Sequence, residues 1–235
     1  LCLVEEAGTV IEGSWLGPPG DPEVLDGLSY RDRALLYRRR EALPAGPFRL
    51  VILDLDGVVG FGNDDLERCS GLADLERLRV TGTGVNDEGL RRLKDLPELR
   101  ILNLGEPVTG AGFAELKRFP RLVQVTLLRG RVEVADLAAL ASVGSLRYLT
   151  FIETLADASA LAALGGLSHL EMLSLHGMDL PTEGLRRLSG LGALTRLDLT
   201  RSKLDLRTVD DLRKRLPPGS EIILDEVVPV EEPAP

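Results

Sequence analysis

One pattern returns about every two dozen residues and leaves little freedom in what the chain can fold into. The sequence Leu-x-x-Leu-x-Leu begins at Leu50, Leu75, Leu99, Leu122, Leu146, Leu170 and Leu194, at spacings of 25, 24, 23, 24, 24 and 24. Counting the first leucine as position 1, position 4 reads Leu53, Leu78, Leu102, Val125, Leu149, Leu173, Leu197, and position 6 reads Leu55, Val80, Leu104, Leu127, Phe151, Leu175, Leu199. Later in each unit a second apolar set recurs every third residue, as in Leu137, Leu140, Val143 or Leu185, Leu188, Leu191. Period two followed by period three predicts a short strand and then a helix, each apolar on one side. A unit of this length cannot bury both elements alone. Units must therefore stack, with strands forming one parallel sheet and helices lying behind it.

The junctions carry the residues such a unit needs. Asn86, Thr109, Asp157 and Asp205, and Pro181 before Thr182, stand where a helix N-cap is required, with Glu133 the weakest junction. Gly71, Gly144, Gly166 and Gly190 fall near helix ends, where a left-handed closing residue is expected.

Over about residues 50–224 the seven units resemble the leucine-rich repeat family. The stretches Val85-Asn86-Asp87-Glu88-Gly89-Leu90 and Leu180-Pro181-Thr182-Glu183-Gly184-Leu185 are similar to the helix-entry segments of its bacterial and ribonuclease-inhibitor-like branches. The resemblance implies an α/β leucine-rich repeat solenoid, with a curved parallel sheet on the concave side, helices on the convex side, and interaction with other proteins as the default role. One departure is plain. The family often has Asn at position 9, whereas this chain has Thr83, Pro107, Gly130, Thr154, Met178 and Ser202, so the turn after each strand must satisfy its backbone in another way.

Outside the repeat, residues 1–49 read as an N-terminal cap segment, with a strand at Thr9-Val10-Ile11, a Gly/Pro loop at 16–22 and an amphipathic helix with a basic face from Arg31 to Leu43. Leu25, Leu28 and Tyr30 lie one period before Leu50 and allow a degenerate extra unit. Glu221-Ile222-Ile223-Leu224 repeats the strand phase and is expected to close the sheet, and 225–235 reads as an acidic, proline-rich, disordered tail.

Composition narrows the partners. A net charge of −9 opposes a phosphate backbone, so nucleic acid is not expected. No apolar run approaches the roughly 20 residues of a membrane span. The two cysteines, Cys2 and Cys69, suit neither a disulfide framework nor a zinc site, and Leu1-Cys2-Leu3-Val4 is too short for a secretory leader core. A cytoplasmic address without metal or cofactor is the expectation.

One stretch argues for chemistry. Val51-Ile52-Leu53-Asp54-Leu55-Asp56-Gly57-Val58-Val59 resembles the first motif of haloacid-dehalogenase-type phosphohydrolases, which implies Asp54 as nucleophile and Asp56 as acid/base beside magnesium. Thr126 or Thr150, Lys117 or Lys203, and Asp210-Asp211 supply candidate later motifs. Against this, the apolar residues of the stretch already keep the repeat's phase, and Asp210-Asp211 falls in a helix, flanked by apolar Val209 and Leu212, instead of at a strand end. A doubly wound sheet also needs crossovers of about 30 residues, longer than this period allows. His169 is expected to cap a helix end and His176 to be an exposed strand residue, with no metal role for either.

Positions 3, 5 and 7 face away from the core and read out the concave wall. Leu128, Tyr148, Ile152 and Met172 there form an expected exposed apolar cluster, with Arg129, Glu153, Arg79 and Asp198 as a polar rim. The candidate partner-binding residues are Ile101, Leu128, Arg129, Tyr148, Ile152, Met172 and His176, with Tyr148 and Met172 as anchors. The reading is a non-enzymatic scaffold that binds a protein partner through this face, with the phosphohydrolase as the alternative.

Overall fold

The computed structural model describes residues 2–6, 35–37, 48–202, 204–225 and 227–228. Each unit begins with a strand: β3 (Phe48–Asp54), β4 (Arg77–Arg79), β5 (Ile101–Gly105), β6 (Gln124–Leu128), β8 (Tyr148–Ile152), β10 (Met172–His176), β11 (Arg196–Asp198) and β13 (Glu221–Ile223). These pair in parallel and in chain order. Register aligns like with like: position 4 of every unit faces position 4 of the next, from Leu53↔Leu78 through Leu149↔Leu173 to Leu197↔Ile222. The repeat predicts this, because a slip of one residue would turn every apolar position outward.

Behind the sheet lie α1 (Asn63–Glu67), α2 (Asp87–Arg92), α3 (Gly110–Phe113), α4 (Val134–Ala141), α5 (Ala158–Ala163), α6 (Thr182–Leu185) and α7 (Leu206–Arg215). Several continue as single 3-10 turns, as at Leu116–Arg118 and Arg186–Gly190. Helices normally need 8–10 Å of lateral spacing and strands only about 4.8 Å, so the wider layer ends up on the outside of a bend. Their leucines meet those of the strands in one continuous core that runs from Leu53 to Leu216. Leu78, Leu102, Leu149, Leu173 and Leu197 have no solvent exposure. Each such side chain contributes roughly 2 kcal/mol.

The junctions hold mostly as expected. Asn86, Asp157 and Asp205 accept from the N–H groups of Glu88, Ala160 and Thr208. At Glu133 the roles are reversed, because its own N–H donates to Asp136 Oδ2 at 2.6 Å. Thr109 does not cap; its hydroxyl instead donates to Asp87 Oδ2 of the preceding unit. Among the four glycines, Gly71 has the expected left-handed backbone (φ 81°), whereas Gly144, Gly166 and Gly190 do not. Gly190 has a packing reason: a Cβ there would lie 2.1 Å from the Gly165 carbonyl oxygen.

Hydroxyl groups replace the absent asparagines at three turns. Thr83 Oγ1 donates to Val80 O, just past the strand of its own unit. Thr154 Oγ1 reaches Leu127 O, and Ser202 Oγ reaches Leu175 O at 2.9 Å, each in the preceding unit. Position 8, one residue earlier, is left-handed in six units, at Gly57, Gly82, Arg129, Glu153, Gly177 and Arg201.

At the ends, two expectations are corrected. The helix expected over Arg31–Leu43 is a strand at its centre, β2 (Leu35–Tyr37), which pairs antiparallel with β1 (Cys2–Glu6), itself antiparallel to β3. The physical reason is the bare edge of a parallel sheet, whose open N–H and C=O groups an added hairpin satisfies. In the tail, Val227–Val228 forms β14, parallel to β12 (Leu204–Asp205), a two-stranded pairing like that of β7 (Arg131–Val132) with β9 (Leu155–Ala156). Strand β13 closes the sheet as expected. The strand expected at Thr9–Ile11, the loop at 16–22, the extra unit around Leu25–Tyr30 and the rest of the tail lie outside the described residues.

Candidate binding face

The strands present three rows of side chains on the wall opposite the helices. Position 3 contributes Ile52, Arg77, Ile101, Gln124, Tyr148, Met172 and Arg196; position 5 contributes Asp54, Arg79, Asn103, Thr126, Thr150, Ser174 and Asp198; position 7 contributes Asp56, Thr81, Gly105, Leu128, Ile152, His176 and Thr200.

The expected apolar cluster separates into two strips. Tyr148 pairs with Met172, and Leu128 pairs with Ile152, which in turn pairs with His176. Four residues along a strand separate the strips, about 13 Å at the usual rise. Between them runs a polar floor of Asn103, Thr126, Thr150 and Ser174. Sequence reasoning placed these four on the wall but did not single them out. Their shared position 5 was the available signal.

Burial corrects the choice of anchors. Met172 is 3% exposed and Ile101 is 2% exposed. Long neighbours on adjacent strands, Tyr148 and Arg196 in one case and Arg77 and Gln124 in the other, flank them in register. Tyr148, Leu128, Ile152 and His176 are half-buried, and Arg129 is exposed. Tyr148 Oη lies 3.4 Å from Glu171 Oε2. Burial first, and then the Glu171 charge, push its phenol above its ordinary value. His176 Nδ1 is 2.7 Å from Thr200 Oγ1. His169 does not form the expected cap: its Nε2 is buried and has no hydrogen-bond partner.

The rim takes shape around Glu153, whose carboxylate lies 3.1 Å from Arg129 Nε and 3.9 Å from Arg201 Nη1. Asp198 accepts from Ser174 Oγ and from Thr200 N. Arg79 sits at the opposite end of the wall. Its guanidinium reaches Asp54 Oδ2 at 3.2 Å and Asp56 Oδ2 at 2.5 Å, with all three side chains less than a quarter exposed. Asp56 Oδ1 also accepts from Thr81 N. Arg79 thus reaches both aspartates where a solenoid strand runs into its turn, a surrounding unlike the pocket at a doubly wound strand end that the phosphohydrolase reading requires. Asp210 and Asp211 lie in α7, with Val209 and Leu212 buried beside them. Among the described residues no cluster of His, Cys, Asp or Glu is arranged to hold a metal ion.

The sequence matches no protein-family model and no curated protein. Solved structures do resemble it. Human 5T4 (Wnt-activated inhibitory factor 1, trophoblast glycoprotein) matches with a TM-score of 0.51 and 22% identity, over 76% of this chain and 69% of that one. An internalin, inlF, from Listeria monocytogenes matches at 0.40 and 18%, over 72% and 58%, and a TDR receptor at 0.38 and 13%, over 76% and 35%. With the stacked parallel sheet and its backing helices, the likeness to 5T4 defines the fold class: the chain has the α/β solenoid fold of leucine-rich repeat proteins.

Proposed function

We propose that the chain is a non-enzymatic scaffold that binds a protein partner through its concave wall. The observation that carries this reading is the paired strips, Leu128–Ile152–His176 on one side and Tyr148 on the other, astride a floor of hydroxyl and amide groups. A partner that brings a hydrogen-bonding group to the half-buried Thr150 and apolar side chains to the strips gains contacts that the free wall lacks. Because the strands are held by their ladder and core, little ordering entropy is lost when the partner docks. The fold is also a common vehicle for interaction, although fold alone does not choose a partner.

The test is affinity capture from the source cells with the wild type beside Ile152→Arg on the wall and Lys117→Glu on the helix side. The reading predicts a protein retained by the wild type and by Lys117→Glu but lost with Ile152→Arg. Equal retention by all three would remove the wall from the interface.

A further inference from the structure

The flank where helices turn back into strands carries two adjoining grooves that share Pro120. The first, about 610 Å³, is mostly apolar, with Ala73, Leu96, Pro97 and Phe119, and also carries the charged Lys94, Asp95 and Arg118. The second, about 400 Å³, is lined by Arg100, Pro120, Arg121, Val123, Ser145 and Arg147. Three guanidinium groups and no carboxylate line that second groove, in a chain whose net charge is −9. We propose that this cleft takes an acidic peptide segment of a protein partner, with its carboxylates on the three arginines and an apolar side chain in the adjoining groove.

The repeat explains the convergence. Arg100 and Arg147 occupy position 2 of their units with Val123 between them, and Arg121 stands immediately before its own position 1, so stacking gathers all three around one opening. Two are already tethered in partly exposed pairs, Arg121 to Glu98, and Arg147 Nε to Glu171 Oε1 at 3.6 Å. Pairs that keep this much solvent contribute little, so an incoming carboxylate can exchange with them. Arg147 Nη1 is oriented by the carbonyls of Gly144 and Leu146, each at 2.9 Å. Arg100 takes part in none of the ion pairs of the described residues and is half-buried, which leaves its fork available for a bidentate carboxylate. Screening over about 8 Å in physiological salt lets a short acidic segment respond to this local charge more than to the chain's overall sign, whereas a long phosphate backbone meets both.

This surface is distinct from the concave wall, and its test separates the two. Fluorescence anisotropy on the intact chain is followed with a short fluorescein-labelled peptide of glutamates around a leucine–phenylalanine pair, with its glutamine counterpart and with a labelled single-stranded RNA oligomer. The glutamate peptide is expected to bind and to weaken as salt is raised, and the glutamine peptide and RNA to bind far less. Arg100→Glu, with Arg100→Gln as the milder variant, should weaken binding about tenfold, while Ile152→Arg leaves it unchanged. Equal binding by the Arg100 variants, equal binding of glutamine and glutamate peptides, or preference for RNA would overturn the proposal. Loss with Ile152→Arg alone would also overturn it, while leaving the concave reading intact.

Discussion

Ser202→Ala tests how the turns are held in the absence of the usual asparagines. The Ser202 side chain lies in a residue only 3% exposed, and its hydroxyl donates to Leu175 O at 2.9 Å. Continued parallel pairing of β10 and β11 would direct the Thr200 N–H at that carbonyl, but this N–H is engaged by Asp198 Oδ1 at 2.9 Å. Removing the hydroxyl therefore costs a buried hydrogen bond and also deprives the carbonyl of its donor. The two together come to about 2 kcal/mol. In a chain of this size that corresponds to a Tm lowered by about 4–8 °C. Thr195→Val is the control: its hydroxyl also donates to a carbonyl of the preceding unit, Glu171 O at 2.9 Å, but at an exposed site where water replaces it. That loss should stay under about 0.5 kcal/mol. Urea unfolding followed by far-UV circular dichroism measures both. Equal stability of Ser202→Ala and wild type would refute the idea that hydroxyl groups stand in for the asparagines.

Gly190→Ala should destabilise strongly, by more than about 2 kcal/mol, because its Cβ would press on the Gly165 carbonyl. Gly166→Ala, with open space around it, should be nearly silent in the same urea titrations. Arg79→Met leaves Asp54 and Asp56 without their shared cation and should cost about 2 kcal/mol at neutral pH, less than a fully buried pair because all three groups keep some solvent. Adding Asp54→Asn and Asp56→Asn should recover part of that loss, and a double-mutant cycle would expose a failure to do so. The Asp205 carboxyl is held below its ordinary value, first by the Thr208 backbone N–H it accepts from. A depressed folded-state pKa means its contribution is complete above the unfolded value and fades as pH falls through the folded one. The stability gap between wild type and Asp205→Ala should therefore narrow in acid titrations, and a gap independent of pH would contradict the cap.

The stacking was legible in the sequence because each unit restates the same constraint. Leu53, Leu78 and Leu102 could each be accidental alone, but a row in register cannot be. Legibility declined where a residue's fate depends on its lateral neighbours. Position 3 faces outward by its alternation, yet Ile101 and Met172 are covered by the side chains beside them, which single-strand periodicity does not register. The left-handed backbone at position 8 was hidden because Arg129, Glu153 and Arg201 occupy it in three units where glycine would have announced it. The Arg79 clamp could have been found by reading across the rows, since Arg79 follows Asp54 at position 5. The hairpin of β1 and β2 on β3 could not, because its pairing obeys the sheet edge instead of the repeat.

Photocrosslinking offers the most direct test that the wall between the strips is where a partner sits. A benzoylphenylalanine placed at Thr150 in the polar floor should join the captured partner covalently, and one placed at Ala138, exposed on α4, should not. Crosslinks from Ala138 with none from Thr150 would contradict the concave assignment.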